Sequence, residues 1–340
     1  MAHWLQKQWL GFTCWHILLM PLSWLFGLIS LVRKSLYKYG WLRSYRLDVP
    51  VIIVGNINVG GTGKTPLVIW LAEQLKIAGY KPGIISRGYG GTAKDIRSVL
   101  PNSNPQEVGD EPVLIAKHSN CPVFVSPNRV AAGQALLKAH PECNIVISDD
   151  GLQHYRLQRD VEIAVFDGAK GFGNGTLLPA GPLREPISRL STVDAVVSNG
   201  KPTHISIAKN STKISGSEMQ LESGFFYNLI DNNLKCDAQS FVNQQVLAIA
   251  GIGNPERFFQ QLRRLGLNFK SLALPDHYKF QSSDFNKVNA DIIVMTEKDA
   301  VKCVSIAQPN YWVLPVVAVI SSELIQVVLN KLQKIQILRK

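Results

Sequence analysis

The first 48 residues have a different hydrophobic pattern from the rest of the chain. Between Trp9 and Val32 lie 24 residues without an Asp, Glu, Lys or Arg. As a helix this run would be about 36 Å long, enough to cross a hydrocarbon core of about 30 Å, although Pro21 and Gly27 would bend or weaken it. The pattern predicts a membrane-associating helix within 1–48. It leaves open whether that helix spans the bilayer, lies in one leaflet or packs as a buried core helix.

From residue 49 to 200, apolar runs of strand length alternate with segments of helical period. Such alternation is typical of an α/β domain with a mostly parallel sheet, which we predict for 49–200. The predicted strands are Val49–Gly55, Lys81–Ser86, Ile96–Leu100, Pro122–Ser126, Asn144–Ser148, Val161–Asp167 and Ala195–Ser198. The predicted helices are Lys64–Ala78, Asp110–His118 and Asn128–Ala139, the last with Asn128 as its N-cap.

The pattern changes between 201 and 240, where short alternating stretches are separated by polar turn residues. We predict antiparallel strands or a β-rich linker there, with the alternating stretches at His204–Ala208, Lys213–Leu221 and Phe225–Leu229. A second, smaller α/β domain is then predicted over 241–340. Its predicted elements are the strands Gln245–Ala250, Asp291–Met295 and Tyr311–Val319, and the helices Pro255–Leu265 and Ser321–Ile335.

The composition of the chain excludes several classes of protein. The chain has 340 residues, is 46% hydrophobic and 18% charged, and carries 36 basic against 25 acidic residues, a net charge of +11. A disordered chain, a collagen-like repeat and a polytopic membrane protein are excluded. The five cysteines form no C-x-x-C pair, so neither a disulfide framework nor a zinc knuckle is indicated.

The excess positive charge is uneven along the chain. Six basic residues and one acid lie within 1–48, so this segment contributes +5 of the +11, and five of the seven Trp lie in the first 41 residues. A basic cluster directly after an apolar run is typical of a cytoplasmic flank beside anionic lipid. The charge therefore indicates a membrane surface, and no nucleic-acid motif accompanies it.

A glycine-rich loop between the first predicted strand and the first long helix carries the clearest chemical signal. The phosphate-loop template G-x-x-x-x-G-K-[ST] is matched from Asn58 onward, with Asn in place of its first glycine. Asn tolerates a left-handed backbone better than most residues, which softens that substitution. Backbone N–H groups of such a loop surround phosphate oxygens, the lysine adds a charge, and the threonine hydroxyl binds Mg²⁺. The predicted nucleotide-binding residues are Asn58, Val59, Gly60, Gly61, Thr62, Gly63, Lys64 and Thr65.

Two acids end the buried strand 144–148. Asp149 and Asp150 stand where the second half of a nucleoside triphosphate site requires a carboxylate for Mg²⁺. With Thr65 they form the predicted metal site. Which of the two aspartates contacts the metal stays open.

Several polar clusters fall at or just after predicted strand ends, where α/β folds build their sites. The segments that carry them are 86–91, 108–112, 150–154, 183–186 and 276–280. The residues that we expect to line the site are Arg87, Tyr89, Glu111, Arg129, His154, Arg184 and Glu185.

The order and number of these motifs identify a family. The chain resembles the tetraacyldisaccharide 4'-kinases, the lipid A 4'-kinases of Gram-negative envelope synthesis, over nearly its full length. The matching motifs are V-G-N-x-x-V-G-G-T-G-K-T-P (54–66), S-R-G-Y-G (86–90), V-G-D-E-P (108–112), D-D-G-L-Q-H (149–154), L-P-A-G-P-L-R-E-P (178–186), A-G-I-G-N-P-x-R-F (250–258), D-H-Y-x-F (276–280) and T-E-K-D-A-V-K (296–302).

The resemblance implies a reaction and roles for individual residues. ATP would transfer its γ-phosphate, with Mg²⁺, to the 4'-hydroxyl of a tetraacyldisaccharide 1-phosphate. Asp110 falls where the family has its catalytic carboxylate and His277 where it has the partner of that carboxylate. Lys64 would act on the phosphates, while Arg184 and Glu185 match the family's active-site R-E pair.

The resemblance also implies partners and a location. The acceptor is a lipid A disaccharide precursor, so the enzyme would work on the cytoplasmic face of the bacterial inner membrane, with no obligate protein partner. A membrane-associated regulatory NTPase that acts as a switch, and transfers phosphate only to water, is the alternative from another class.

Overall fold

A computed structural model of the protein describes residues 8, 9, 11–202, 216–285 and 290–339. Its helices are α1 (Cys14–Lys38), α2 (Lys64–Ile77), α3 (Pro105–Val108), α4 (Asp110–Ser119), α5 (Arg129–Ala139), α6 (Pro255–Arg264), α7 (Ser282–Phe285), α8 (Glu297–Cys303) and α9 (Ser322–Arg339). Short 3₁₀ helices cover Ile187–Thr192, Ala238–Phe241 and Val304–Ile306.

The strands form two sheets. They are β1 (Val51–Gly55), β2 (Pro82–Ser86), β3 (Arg97–Val99), β4 (Val123–Val125), β5 (Ile145–Asp149), β6 (Val161–Asp167), β7 (Ala195–Asn199), β8 (Gly216–Glu222), β9 (Phe226–Asn228), β10 (Lys235–Cys236), β11 (Val246–Ala250), β12 (Lys270–Ala273), β13 (Ile292–Thr296), β14 (Tyr311–Leu314) and β15 (Val317–Ile320). The larger sheet has the order β15-β8-β7-β6-β1-β5-β2-β4-β3 and the smaller one β10-β9-β14-β13-β11-β12.

The larger sheet is parallel through its centre, where β1 pairs with both β5 and β6. All five residues of β1, Val-Ile-Ile-Val-Gly, are buried, as expected for a strand covered by helices on both faces. One face packs against α2, α4 and α9, and the other against α5 and the segment 166–190. The α/β fold predicted from the pattern is confirmed. The amide oxygen of Asn128 accepts from the N–H of Ala131, so its role as the N-cap of α5 is confirmed as well.

The predicted single strand Tyr311–Val319 is wrong. It divides into β14, which pairs with β13 in the smaller sheet, and β15, which pairs with β8 in the larger one. Pro315 lies at the break, and a proline has no N–H to continue a strand ladder. As a result β15 and α9 return to the larger sheet, although they lie within the predicted unit 241–340.

The segment 201–240 likewise contributes to both sheets. β8 extends the larger sheet parallel to β7, and β9 pairs with β14 of the smaller one. The strand predicted at His204–Ala208 lies outside the described residues. The pattern did not indicate β12 or α8, both of which the structure contains. The domain boundaries of the sequence analysis stay a prediction.

Helix α1 lies against the protein body along one narrow stripe. Within it His16 and Ser23 are buried, and Ser23 Oγ donates to the carbonyl oxygen of Leu177 at 2.7 Å. Its apolar side chains face outward, which rules out a buried core helix. These exposed residues include Trp15, Ile17, Leu18, Leu22, Trp24, Leu25, Leu28, Ile29 and Leu31. Among the described helices, α1 alone is long and apolar enough to cross a membrane.

Candidate active site

The phosphate loop has the geometry that its sequence predicts. It joins β1 to α2, and Gly60 and Gly63 both have left-handed backbones, with φ of +113° and +92°. The side chain of Asn56 braces the loop by donating to Gly60 O and Thr62 Oγ1. Asn58 is not left-handed; it forms an antiparallel bridge with Leu183, so a glycine is not required at that position.

Asp149 is the last residue of β5, the neighbour of β1, and Asp150 follows it; the two side chains contact different partners. Asp149 is buried and accepts from Ser86 Oγ at 3.0 Å, while its Oδ1 has no hydrogen-bond partner. Burial, with the charge of Glu111, raises the pKa of Asp149 to about 7. Asp150 Oδ1 lies 3.4 Å from Lys64 Nζ.

Asp150 also links the phosphate loop to two arginines. Arg184 lies 3.6 Å from its Oδ2, and Arg129 donates to its backbone carbonyl at 3.0 Å. Burial, the largest single effect, raises the pKa of Asp150. The charges of Lys64, Arg184 and Arg129 together lower it by more, so the pKa lies below its ordinary value. The structure therefore places two cations at the Asp150 carboxylate and a third at its backbone carbonyl, beside the phosphate loop.

Asp110 and His277 are brought together from positions 167 residues apart. His277 Nδ1 donates to Asp110 Oδ2 at 3.0 Å, and the ring of Tyr89 lies edge-on to the imidazole with centroids 5.1 Å apart. Burial alone would raise the pKa of Asp110, but the hydrogen bond from His277 and the nearby charges of Lys298 and Lys302 hold it below its ordinary value. The same hydrogen bond raises the pKa of His277.

This pair predicts a pH-dependent stability. The stabilising contribution of His277 is complete below the pKa of an unfolded histidine, about 6.5, and is lost as the pH rises through the raised pKa of the folded state. The stabilising contribution of Asp110 is present above the pKa of an unfolded aspartate, about 3.9, and is lost as the pH falls through the lowered pKa of the folded state. We expect His277→Asn to reduce the free energy of unfolding most between these values and less at higher pH. Asn suits the left-handed backbone of position 277, φ +59°.

Urea unfolding at a series of pH values measures this difference. His140→Asn is the matched control, because His140 is a half-exposed histidine that pairs with Glu142 outside the site. A stability loss for His277→Asn that is the same at every pH would contradict the prediction.

The other predicted lining residues lie at different depths. Arg87 and Tyr89 are exposed, whereas Arg129 is buried. Burial, then the charge of Arg129, lowers the pKa of His154 to about 4, so this imidazole is neutral near pH 7. Glu185 accepts from Gln153 Nε2 at 2.8 Å and from the hydroxyl of Tyr155, and Gln153 Nε2 also donates to the carbonyl oxygen of Asn56, which braces the phosphate loop.

Besides His277, the smaller sheet contributes two residues that the sequence had not placed in the site, Gly253 and Lys298. Gly253 abuts the phosphate loop, since a Cβ built there would lie 3.0 Å from the backbone N of Gly61. Lys298, at the start of α8, reaches Glu111 at 2.9 Å. The T-E-K-D-A-V-K motif carries Lys298 and Lys302 four residues apart, a spacing that places both on one face of a short helix. That spacing was the sequence signal that could have indicated this contribution to the site.

A cavity of about 190 Å³ lies between the phosphate loop and the smaller sheet. Its walls include Gly61–Pro66 and Glu111 from one side, and Ile252–Asn254, Phe258 and Lys298 from the other. The Asp110–His277 pair lines a second cavity, of about 740 Å³. A strand, glycine loop and helix in this order, with an acid-terminated neighbouring strand and this Asp–His pair, define a P-loop phosphotransferase.

The chain belongs to the tetraacyldisaccharide-1-P 4'-kinase family, whose model matches residues 15–333. It is 48% identical to the tetraacyldisaccharide 4'-kinase of Methylobacillus flagellatus over 98% of this chain and 97% of that one. It is 47% identical to the enzyme of that name from Dechloromonas aromatica over 99% of both chains.

A solved structure has the same fold. The "apo" form of LpxK from Aquifex aeolicus in complex with ATP superposes with a TM-score of 0.78 at 30% identity, covering 93% of this chain and 99% of that one. The predicted family and α/β architecture are thereby confirmed.

Proposed function

We propose that this protein transfers the γ-phosphate of ATP to the 4'-hydroxyl of a tetraacyldisaccharide 1-phosphate, giving the 1,4'-bisphosphorylated lipid (lipid IV-A) and ADP. The observation that carries the proposal is the hydrogen-bonded Asp110–His277 pair beside a complete phosphate loop. A switch NTPase needs to position only water, whereas a sugar hydroxyl, with a pKa far above neutral, needs a positioned carboxylate as the new bond forms.

The proposed step balances as follows. The acceptor's 4'-oxygen bonds to the γ-phosphorus while its proton passes to an Oδ of Asp110, and the bond between the γ-phosphorus and the β,γ-bridging oxygen breaks to release ADP. Asp110 is ionised near pH 7 because its pKa is lowered, so it can accept this proton. His277 orients the carboxylate through Nδ1–H. The ammonium of Lys64 neutralises charge on the transferred group.

Thr65 and Asp149 are the residues that we propose to hold Mg²⁺. The buried Asp149 Oδ1 without a hydrogen-bond partner fits a cation ligand. In the part of the chain that the structure describes, no three His, Cys, Asp or Glu side chains cluster as a metal cage; Mg²⁺ commonly needs only one or two carboxylates together with substrate phosphates. When bound, it would neutralise charge on the phosphate oxygens.

The test is a thin-layer assay with γ-labelled ATP and a tetraacyldisaccharide 1-phosphate in mixed micelles. We expect a labelled lipid that disappears in the Asp110→Asn variant. Label released only as inorganic phosphate, with or without the acceptor, would support the regulatory NTPase and overturn the kinase.

Helix α1 is proposed to hold the protein on the cytoplasmic face of the inner membrane with its apolar face in one leaflet. Two contacts favour this over a span: Ser23 bonds to Leu177, and a Cβ on Gly27 would lie 2.8 Å from Leu177 Cδ1. Because Ser23 and Gly27, in the middle of the helix, contact the protein body, a span would pull that part of the body into hydrocarbon. An interfacial helix needs to bury only its apolar face in the lipid, and in α1 that face is the one directed away from the body.

We expect Leu18→Asp with Leu25→Asp to lower binding to anionic phospholipid vesicles at least about tenfold, since each buried leucine is worth roughly 1.5–3 kcal/mol. Sedimentation with vesicles measures the bound fraction. Ile77→Asp is the matched control, because Ile77 is an exposed apolar residue on α2. Equal binding by all variants would show that α1 is not the anchor.

A further inference from the structure

The ammonium group of Lys298 is enclosed between the two sheets, and the proposed mechanism gives it no role. Its side chain is 17% exposed, and its Nζ donates to Glu111 Oε1 at 2.9 Å and to Asp276 Oδ1 at 3.2 Å. Glu111 directly follows Asp110, and Asp276 directly precedes His277. One lysine therefore bridges the two segments that carry the Asp–His pair.

Each of these carboxylate residues is bonded onward to its neighbour in the pair. The backbone N–H of Glu111 donates to Asp110 Oδ1 at 2.9 Å, and the backbone N–H of His277 donates to Asp276 Oδ1 at 3.1 Å. His277 has a left-handed backbone, a conformation that persists in a residue other than glycine only where surrounding contacts fix it. The Lys298–Asp276 contact is one such constraint.

We propose that Lys298 is a positioning residue that fixes the Asp110–His277 hydrogen bond by holding together the segments on either side of it. The inference rests on the proposed function in one respect, that Asp110 accepts the acceptor's proton. Without the ammonium, the carboxylates of Glu111 and Asp276 are left to repel each other across the same space. His277 then moves relative to Asp110, and a displacement of about 1 Å at a reacting group can cost about 10²-fold in rate.

A second role has to be separated from this one by experiment. Lys298 also lines the cavity that contains the phosphate loop, so its charge could act directly on a phosphate. A lysine that acts through Asp110 loses its effect when Asp110 is removed, whereas a lysine that acts on phosphate does not. A double-mutant cycle distinguishes the two.

The cycle compares Lys298→Met, Asp110→Asn and the double variant by kcat and by KM for ATP. We expect Lys298→Met alone to lower kcat by about 10²-fold with KM for ATP close to that of the wild type. In the Asp110→Asn background the same substitution is expected to lower kcat less than about threefold, because the two residues act as a unit. Lys331→Met, which breaks the lysine–carboxylate pair with Asp194, is the control and should leave kcat unchanged.

A loss for Lys298→Met that persists in full in the Asp110→Asn background, or a raised KM for ATP, overturns the positioning role. Near-normal turnover by Asp110→Asn would instead overturn the proposed base. If Lys298→Met does not fold, the cycle is run with Asp276→Asn, which removes the more exposed end of the bridge, 35% exposed. The same non-additivity with Asp110→Asn is then required, and its absence overturns the proposal.

Discussion

Asp110→Asn is expected to lower kcat by about 10²–10⁴-fold, the range that a positioned general base contributes. Asn keeps the shape of the side chain but cannot take the proton of the 4'-hydroxyl. ATP affinity is expected to change little, because Asp110 contacts His277 and lies near Lys302, and is not part of the phosphate loop. Steady-state kinetics with the lipid acceptor, and ATP titration without it, measure the two quantities.

Asp194→Asn is the matched control for this substitution. Asp194 accepts from the N–H of Glu162 and pairs with Lys331, immediately before β7. It therefore lies at the amino ends of the parallel strands, opposite the edge where the phosphate loop follows β1. A comparable loss of turnover in Asp194→Asn would mean that Asp110→Asn acts through stability; near-normal turnover in Asp110→Asn would remove Asp110 from the reaction.

Lys64→Met is expected to reduce kcat/KM by about 10²–10³-fold, the usual cost of losing one preorganised group that stabilises transition-state charge. The ammonium is partly buried beside Asp150, 3.4 Å from its Oδ1, so it is already directed into the site before nucleotide binds. Methionine preserves the length of the side chain and removes only the charge. Initial rates over a range of ATP concentrations separate the effects on kcat and KM.

Lys76→Met, at the opposite end of α2, is the control for Lys64→Met. Lys76 donates to the carbonyl oxygen of Ser119, outside the site. We expect its variant to keep normal turnover. If Lys64→Met retained wild-type kcat/KM, the glycine loop would not be the catalytic phosphate site, and the assignment of the whole P-loop would fail.

The phosphate loop could be predicted from the sequence because every part of it is local. The strand, the glycines and Lys64 lie within 15 residues, 51–65, and the hydrogen bonds that brace the loop run from Asn56 to Gly60 and Thr62. Burial of β1 on both faces gives a continuous apolar run. The N-cap role of Asn128 is likewise a contact over three residues.

Motif resemblance named Asp110 and His277 as partners, but nothing in the residue order gave the geometry of their contact. That contact depends on how the smaller sheet sits against α4, and no short-range pattern encodes it. The same holds for Lys298, which falls in a helix of seven residues, too short for a reliable helical period. It also holds for β15, since Pro315 indicates that a strand stops and not which sheet the next strand joins.

The sequence by itself therefore determined the α/β class, the phosphate loop, the acid-terminated strand and the apolar N-terminal helix, because each depends on residue order and on contacts close along the chain. The tertiary structure alone decided three things: the geometry of the contact between Asp110 and His277, the bridge that Lys298 makes between their neighbours, and the position of α1 on the body with its apolar face outward. These depend on contacts between distant segments, which arise only when the two sheets and the helices around them pack together.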